Sequence, residues 1–97
     1  MSVIVVAQAT IKDREKIDAY LGLAGPTIGA SGGKILAFDE NPDVIEGTMN
    51  DKRTVILEFE SKDAFNAWYN SADYQKALPL RLEAAPGSLI LVQGFEG

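Results

Sequence analysis

Short apolar runs and amphipathic stretches take turns along this chain. Val3 to Ala9 is a run of β-branched and small apolar residues that reads as a strand. Asp13 then offers an N-cap ahead of Ile17, Tyr20 and Leu21, which recur at the i, i+3, i+4 spacing of one helix face. The helix is expected to fade into GLAGPTIGASGG, which holds five of the nine glycines and turns into a second strand, Lys34 to Phe38. After an acidic loop, Asp39 to Glu46, a third strand spans Arg53 to Glu60. Ser61 caps the next helix, with Asp63 in its first turn, where the helix dipole favours negative charge. Phe65, Trp68, Tyr69 and Ala72 mark one face of it. Ser71 repeats the capping signal, so Asn70-Ser71 separates two helices, and Pro79 interrupts the second before a last turn through Leu82. Pro86-Gly87 turns the chain into a final strand, Leu89 to Val92.

The order strand, helix, strand, strand, helix, strand is that of a ferredoxin-like βαββαβ sandwich. This is an α+β fold, a four-stranded antiparallel sheet with helices on one face. Such a sheet should alternate apolar and polar residues, because only one face is covered. Here both faces are apolar. Val3, Val5 and Ala7 back Ile4 and Val6; Leu89 and Leu91 back Ile90 and Val92; Val55, Leu57 and Phe59 back Ile56; Ile35 backs Leu36 and Phe38. A bare apolar face of that size is rare on a soluble monomer. The pattern predicts a cover, most simply the same face of a second subunit in a two-fold homodimer.

Ninety-seven residues make one domain, 1–97, and 46% apolar with 24% charged residues is the make-up of an ordinary globule. Cysteine is absent, which removes disulfides, thiol catalysis and thiolate metal sites. The N-terminus lacks a basic start and its apolar run is short, so it reads as a strand and neither a signal peptide nor a membrane span. The cytoplasm is the expected location. A net charge of −5 with no basic patch argues against nucleic-acid binding. The most informative count is zero histidine. Serine–histidine triads, histidine-bound zinc and histidine-bound haem are excluded, and acid–base chemistry falls to Asp, Glu, Tyr or Lys. No cofactor is expected.

Candidate chemistry centres on Trp68, Tyr69 and Tyr74 within WYNSADYQ. Their rings can line a cleft and stack on a flat ligand, or they can simply pack helix on sheet. Arg81 can clamp a carboxylate or phosphate, or form a structural ion pair with Glu46 or Glu58. Glu46, beside Gly47, is the candidate carboxylate base, and its plain alternative is that same ion pair. Tyr20 can donate to a substrate oxygen or serve in the core. Two motifs fail. Asp39, Asn41 and Asp43 start like a calcium loop, but Val44 stands where glycine is required and Asn50 where glutamate is required. The glycine-rich segment has Ile28 and Ile35 where a phosphate loop needs glycine and a hydroxyl.

Gly32-Gly33-Lys34, Glu46-Gly47, Glu58-Phe59, Ser61, Ala67-Trp68-Tyr69, Ser71, Tyr74-Gln75 and Arg81 follow one another in order. Together they resemble the domain-of-unknown-function 1330 family of the dimeric α+β barrel superfamily, over nearly the whole chain. The first strand departs from the pattern, reading SVIVV where the family often has an aromatic residue. The resemblance implies a dimer whose sheets face each other as a barrel. It assigns no activity, although the superfamily includes cofactor-free monooxygenases, lactone isomerases and haem-handling enzymes; those relying on histidine have no counterpart here. The expected function is binding of a small organic molecule in a cleft between sheet and helices, with isomerase- or monooxygenase-like turnover. The alternative is a non-catalytic dimerisation or ligand-sensing module.

Overall fold

Side-chain caps at the expected residues set the helix starts in the computed structural model, which describes residues 2–95. Met1, Glu96 and Gly97 of the expected domain lie outside the described residues. Asp13 accepts from the Lys16 N–H at 3.1 Å and opens α1 (Arg14–Ala30). Ser61 accepts from the Ala64 N–H at 3.1 Å to open α2 (Lys62–Tyr69), and Ser71 from the Tyr74 N–H at 3.2 Å to open α3 (Ala72–Ala84). Asn70-Ser71 is therefore the join between two helices. No helix among the described residues is long and apolar enough to cross a membrane.

The strands β1 (Val3–Ala9), β2 (Lys34–Asp39), β3 (Arg53–Phe59) and β4 (Gly87–Gln93) form one antiparallel sheet in the order β2-β3-β1-β4. This is the ferredoxin-like arrangement. β1 is central: Val5 sits opposite Leu57 on one side and Leu91 on the other. The helices cover the face carrying Val5, Ala9, Leu57 and Phe59, all buried.

Three local expectations are corrected. First, α1 does not fade at its glycines but runs seventeen residues through Gly22, Gly25 and Pro26. Ile17, Tyr20, Ala24 and Ile28 form one buried stripe along it, and burying that stripe outweighs poor local propensity. The helix stops only where Gly32 takes φ +79° and the Gly33 N–H closes back on the Ile28 carbonyl at 2.9 Å. Second, α3 continues past Pro79, which is exposed, to Ala84. Third, β2 carries a bulge. Ile35 pairs with Leu57, but Ala37 pairs with Ile56 and Phe38 with Val55, so Leu36 is the extra residue. Phe38 therefore joins Ile35 on the helix side instead of opposing it.

The opposite face is uncovered. Pairing places Ile4 beside Val92, and Val6 beside Ile90 and Ile56, on one continuous apolar surface. Ile90 is 53% exposed and Val92 42%. The molecule is only 15 Å thick along its shortest axis, one sheet plus one helical layer.

Candidate functional site

Between the sheet and the helices lies a cavity of about 300 Å³. Its floor is Val5, Ala7, Val55, Leu57 and Leu89 from three strands; its roof is Tyr20, Ala24, Gly25 and Ile28 of α1 with Trp68 and Arg81. Ile35 and Phe38 close the β2 side, and Arg53 closes one end. Small residues make the space. A Cβ built on Gly25 would meet no atom within 4 Å.

Trp68 is fixed from two directions. Its indole N–H donates to Thr27 Oγ1 at 2.9 Å, and that hydroxyl donates to the Ala24 carbonyl at 2.6 Å. Its ring packs against Phe59, with centroids 5.3 Å apart, and against Tyr74 at 4.1 Å. Tyr20 and Tyr74 meet through their hydroxyls at 3.0 Å, buried, with rings edge to face. Burial pushes the Tyr20 hydroxyl far above the ordinary tyrosine range, and Tyr74 adds to the rise; Arg81 and Arg53 pull the other way. Tyr20 is thus a protonated donor at neutral pH, and both guanidinium groups act on it.

The two arginines are the unusual feature. Arg53 is only 5% exposed, yet its Nε and Nη2 have no hydrogen-bond partner among the described residues. Its nearest anion is Glu40, whose Oε2 stands 3.6 Å from Nε, beyond hydrogen-bond reach. Its guanidinium carbon lies 5.2 Å from the Phe38 ring centroid. Burial lowers the Arg53 pKa from the usual arginine value, while Glu40 opposes that shift. Glu40 itself is held below the usual carboxylate range, chiefly by Arg14, whose Nη1 and Nη2 donate to its two oxygens at 2.9 and 3.0 Å. Arg81 makes no ion pair among the described residues, and its Nε is buried without an acceptor. Buried N–H groups left unpaired are costly, and the three on this wall can each take a hydrogen-bond acceptor, whether water or a ligand oxygen.

Of the residues expected from sequence, Tyr20, Trp68 and Arg81 come together on the cavity wall. Tyr74 stands behind Tyr20, and Tyr69 lies outside, stacked on Phe65 with centroids 5.7 Å apart. Glu46 is exposed in the loop between β2 and β3 and does not line the cavity. The expected pairing of Arg81 with Glu46 or Glu58 is not formed. Glu58 sits opposite Ile4 and Lys34 on the uncovered face, with the sheet between it and α3. Arg53 was not singled out, although a sequence signal existed: it shares strand parity with Val55, Leu57 and Phe59, the covered face.

Fold and cavity together define a ferredoxin-like α+β protein with an apolar, arginine-walled chamber under its helices. The chain belongs to the family described as Domain of unknown function (DUF1330), whose model matches residues 2–95. Among solved structures it is similar to RPA0582, a protein of unknown function from Rhodopseudomonas palustris, with 20% identity, 99% of this chain and 84% of that one covered, and a TM-score of 0.81. It is also similar to SnoaB, a cofactor-independent oxygenase from Streptomyces nogalater, with 10% identity, coverage of 99% and 95%, and a TM-score of 0.68. A conserved protein from Methanosarcina mazei follows at 15% identity, coverage of 98% and 94%, and a TM-score of 0.61. At these identities the likeness is one of fold. No curated protein matches the chain.

Proposed function

We propose that this protein is a homodimer that binds a small organic molecule in the cavity between sheet and helices. The observation that carries the reading is the wall of Arg53 and Arg81, whose buried N–H groups lack partners among the described residues, beside an apolar, aromatic chamber. Ligand sites combine that kind of apolar lining with a few convergent polar groups. The volume, about 300 Å³, is at the lower end of the range for such sites.

The walls supply stabilisation of negative charge on a ligand oxygen, through two guanidinium groups and the Tyr20 hydroxyl. That suits cofactor-free isomerisation or oxygenation of a substrate that enters already as its anion. The fold likeness to a cofactor-independent oxygenase is in keeping with it. The base role expected of Glu46 is left out, because no carboxylate among the described residues lines the chamber. The same lack favours a second reading, a ligand-sensing module without turnover. The homodimer rests on the uncovered apolar face of Ile4, Val6, Ile56, Ile90 and Val92, which a second copy would bury.

Native mass spectrometry of protein purified without denaturing steps tests the reading. The expected species has twice the chain mass of 10.4 kDa and carries a discrete small-molecule mass that Arg81→Ala loses. A monomer, or identical wild-type and Arg81→Ala spectra without added mass, contradicts it.

A further inference from the structure

The ligand's chemical class can be drawn from how Arg53 is held, on the reading that the cavity is a binding site. Among the described residues Glu40 is the only carboxylate within ion-pair distance of Arg53, and it is committed elsewhere. Both of its oxygens accept from Arg14, at 2.9 and 3.0 Å, in a two-pronged fork that is the strong geometry for this pair. Toward Arg53 it offers one oxygen at 3.6 Å. Losing Arg53 would therefore leave Glu40 satisfied. Arg53 has the opposite balance: a fixed positive charge, nine-tenths buried, with two N–H groups unpaired among the described residues. A charge in that state gains most from an anion brought to it.

Position supports the exchange. Arg53 borders both the inner cavity and an outer polar depression shared with Arg14, Glu40 and Lys52, so its guanidinium stands between Glu40 outside and the chamber inside. The chamber is lined by the rings of Phe38, Tyr20 and Trp68, with Arg81, whose Nε has no partner among the described residues, on the roof. Aromatic walls favour a flat, ring-bearing body over a branched aliphatic one. At interior packing density, a space of this volume holds roughly a dozen non-hydrogen atoms.

We propose that the cavity takes an aromatic or ring-conjugated carboxylate of one or two rings, whose carboxylate engages Arg53 in place of Glu40 while Arg81 and the Tyr20 hydroxyl face the same chamber. Glu40 then acts as a stand-in anion that keeps Arg53 partly neutralised while the site is empty, and it competes with the ligand.

The probes are trans-cinnamate and its neutral isostere trans-cinnamamide, titrated calorimetrically into the wild type, Arg53→Met and Glu40→Gln. Wild-type protein is expected to bind cinnamate at least tenfold more tightly than cinnamamide. Arg53→Met should remove most of that preference. Glu40→Gln should tighten cinnamate several-fold and leave cinnamamide unchanged, a gain that a purely supporting carboxylate could not produce. Melting curves establish that each variant is folded, and Glu40→Gln decides the matter if Arg53→Met is not. Equal binding of acid and amide overturns the carboxylate assignment while leaving the cavity a binding site. Weaker cinnamate binding by Glu40→Gln overturns the exchange. Binding of neither probe overturns the assignment and counts against the cavity as a ligand site for molecules of this size.

Discussion

The indole N–H of Trp68, on α2, donates to the Thr27 hydroxyl of α1 at 2.9 Å, and the Thr27 hydroxyl in turn donates a hydrogen bond to the Ala24 carbonyl. One threonine thus sets the angle of the ring that forms part of the cavity roof, and it ties two helices that share no backbone bond. Thr27→Val keeps the shape but strands a buried indole donor. It should cost about 1–3 kcal/mol in chemical denaturation. Thr27→Ser keeps the hydroxyl and should recover most of that loss. Equal stability of the valine and serine variants would show that packing alone holds Trp68.

Glycines of α1 and of β4 occupy two kinds of position. Gly22 and Gly29 are exposed, have no positive φ, and would place a Cβ in open space. Gly22→Ala and Gly29→Ala should each raise stability by roughly 0.5–1 kcal/mol. Gly87 is the contrast. A Cβ there would stand 2.0 Å from the Gln8 carbonyl oxygen, where β4 presses on β1. Gly87→Ala should lower the melting temperature sharply, and a neutral result would mean that the β1–β4 pairing is looser than the register implies.

Tyr20 predicts an alkaline limb in stability. An unfolded tyrosine titrates near 10, and burial raises the folded value above that. The folded state therefore holds the proton more firmly. This contribution is whole below about pH 10 and falls as pH rises above it, by at most about 1.4 kcal/mol per unit. Tyr20→Phe has no such group. The difference in unfolding free energy between wild type and Tyr20→Phe should be flat from pH 7 to 9 and move in favour of the variant above about 10. A flat difference throughout would contradict the buried, protonated hydroxyl.

The homodimer proposed for the bare sheet face predicts a single-site break. Ile56 lies within that face, opposite Val6 on β1 and Ala37 on β2. Ile56→Lys would bury an unpaired charge in a sheet-to-sheet interface and should give a monomer in sedimentation velocity. Lys62→Glu, at the exposed start of α2, should leave the dimer intact. Wild-type protein that sediments as a monomer at tens of micromolar would remove the proposal.

Much of the architecture could be read from the residues, and the failures have physical causes. Asp13, Ser61 and Ser71 announced their helices because a capping side chain acts through a bond to a backbone N–H three residues on, a purely local event. The persistence of α1 through GLAGP and of α3 through Pro79 was hidden, since it depends on tertiary burial of Ala24, Ile28 and Ala77 that no local rule contains. The β2 bulge at Leu36 was hidden for a similar reason: register depends on the partner strand, and one extra residue moved Phe38 to the other face. For the cavity, residue type and helical spacing pointed to Tyr20 and Trp68, and residue type with the family resemblance pointed to Arg81; all three stand on its wall. Arg81 follows Tyr74, Ala77 and Leu78 at i+7, i+4 and i+3, on the inner face of α3. Arg53 was missed because an arginine at a strand's first position reads as solvated until its parity with Val55 and Leu57 is weighed. Glu46 drew notice from its glycine neighbour, a signal that carries no information about where a loop points.

Ligand binding is proposed inside the chamber roofed by α1, and filling that chamber with a side chain is the sharpest test of it. Gly25→Leu projects a side chain into space where a Cβ meets nothing, on a helix that leucine favours. Calorimetric titration of trans-cinnamate into wild type and Gly25→Leu in parallel should show saturable binding in the first and none in the second, with Gly25→Leu melting at or above the wild-type temperature. Undiminished binding by a folded Gly25→Leu would place the ligand outside the chamber and overturn the proposed site.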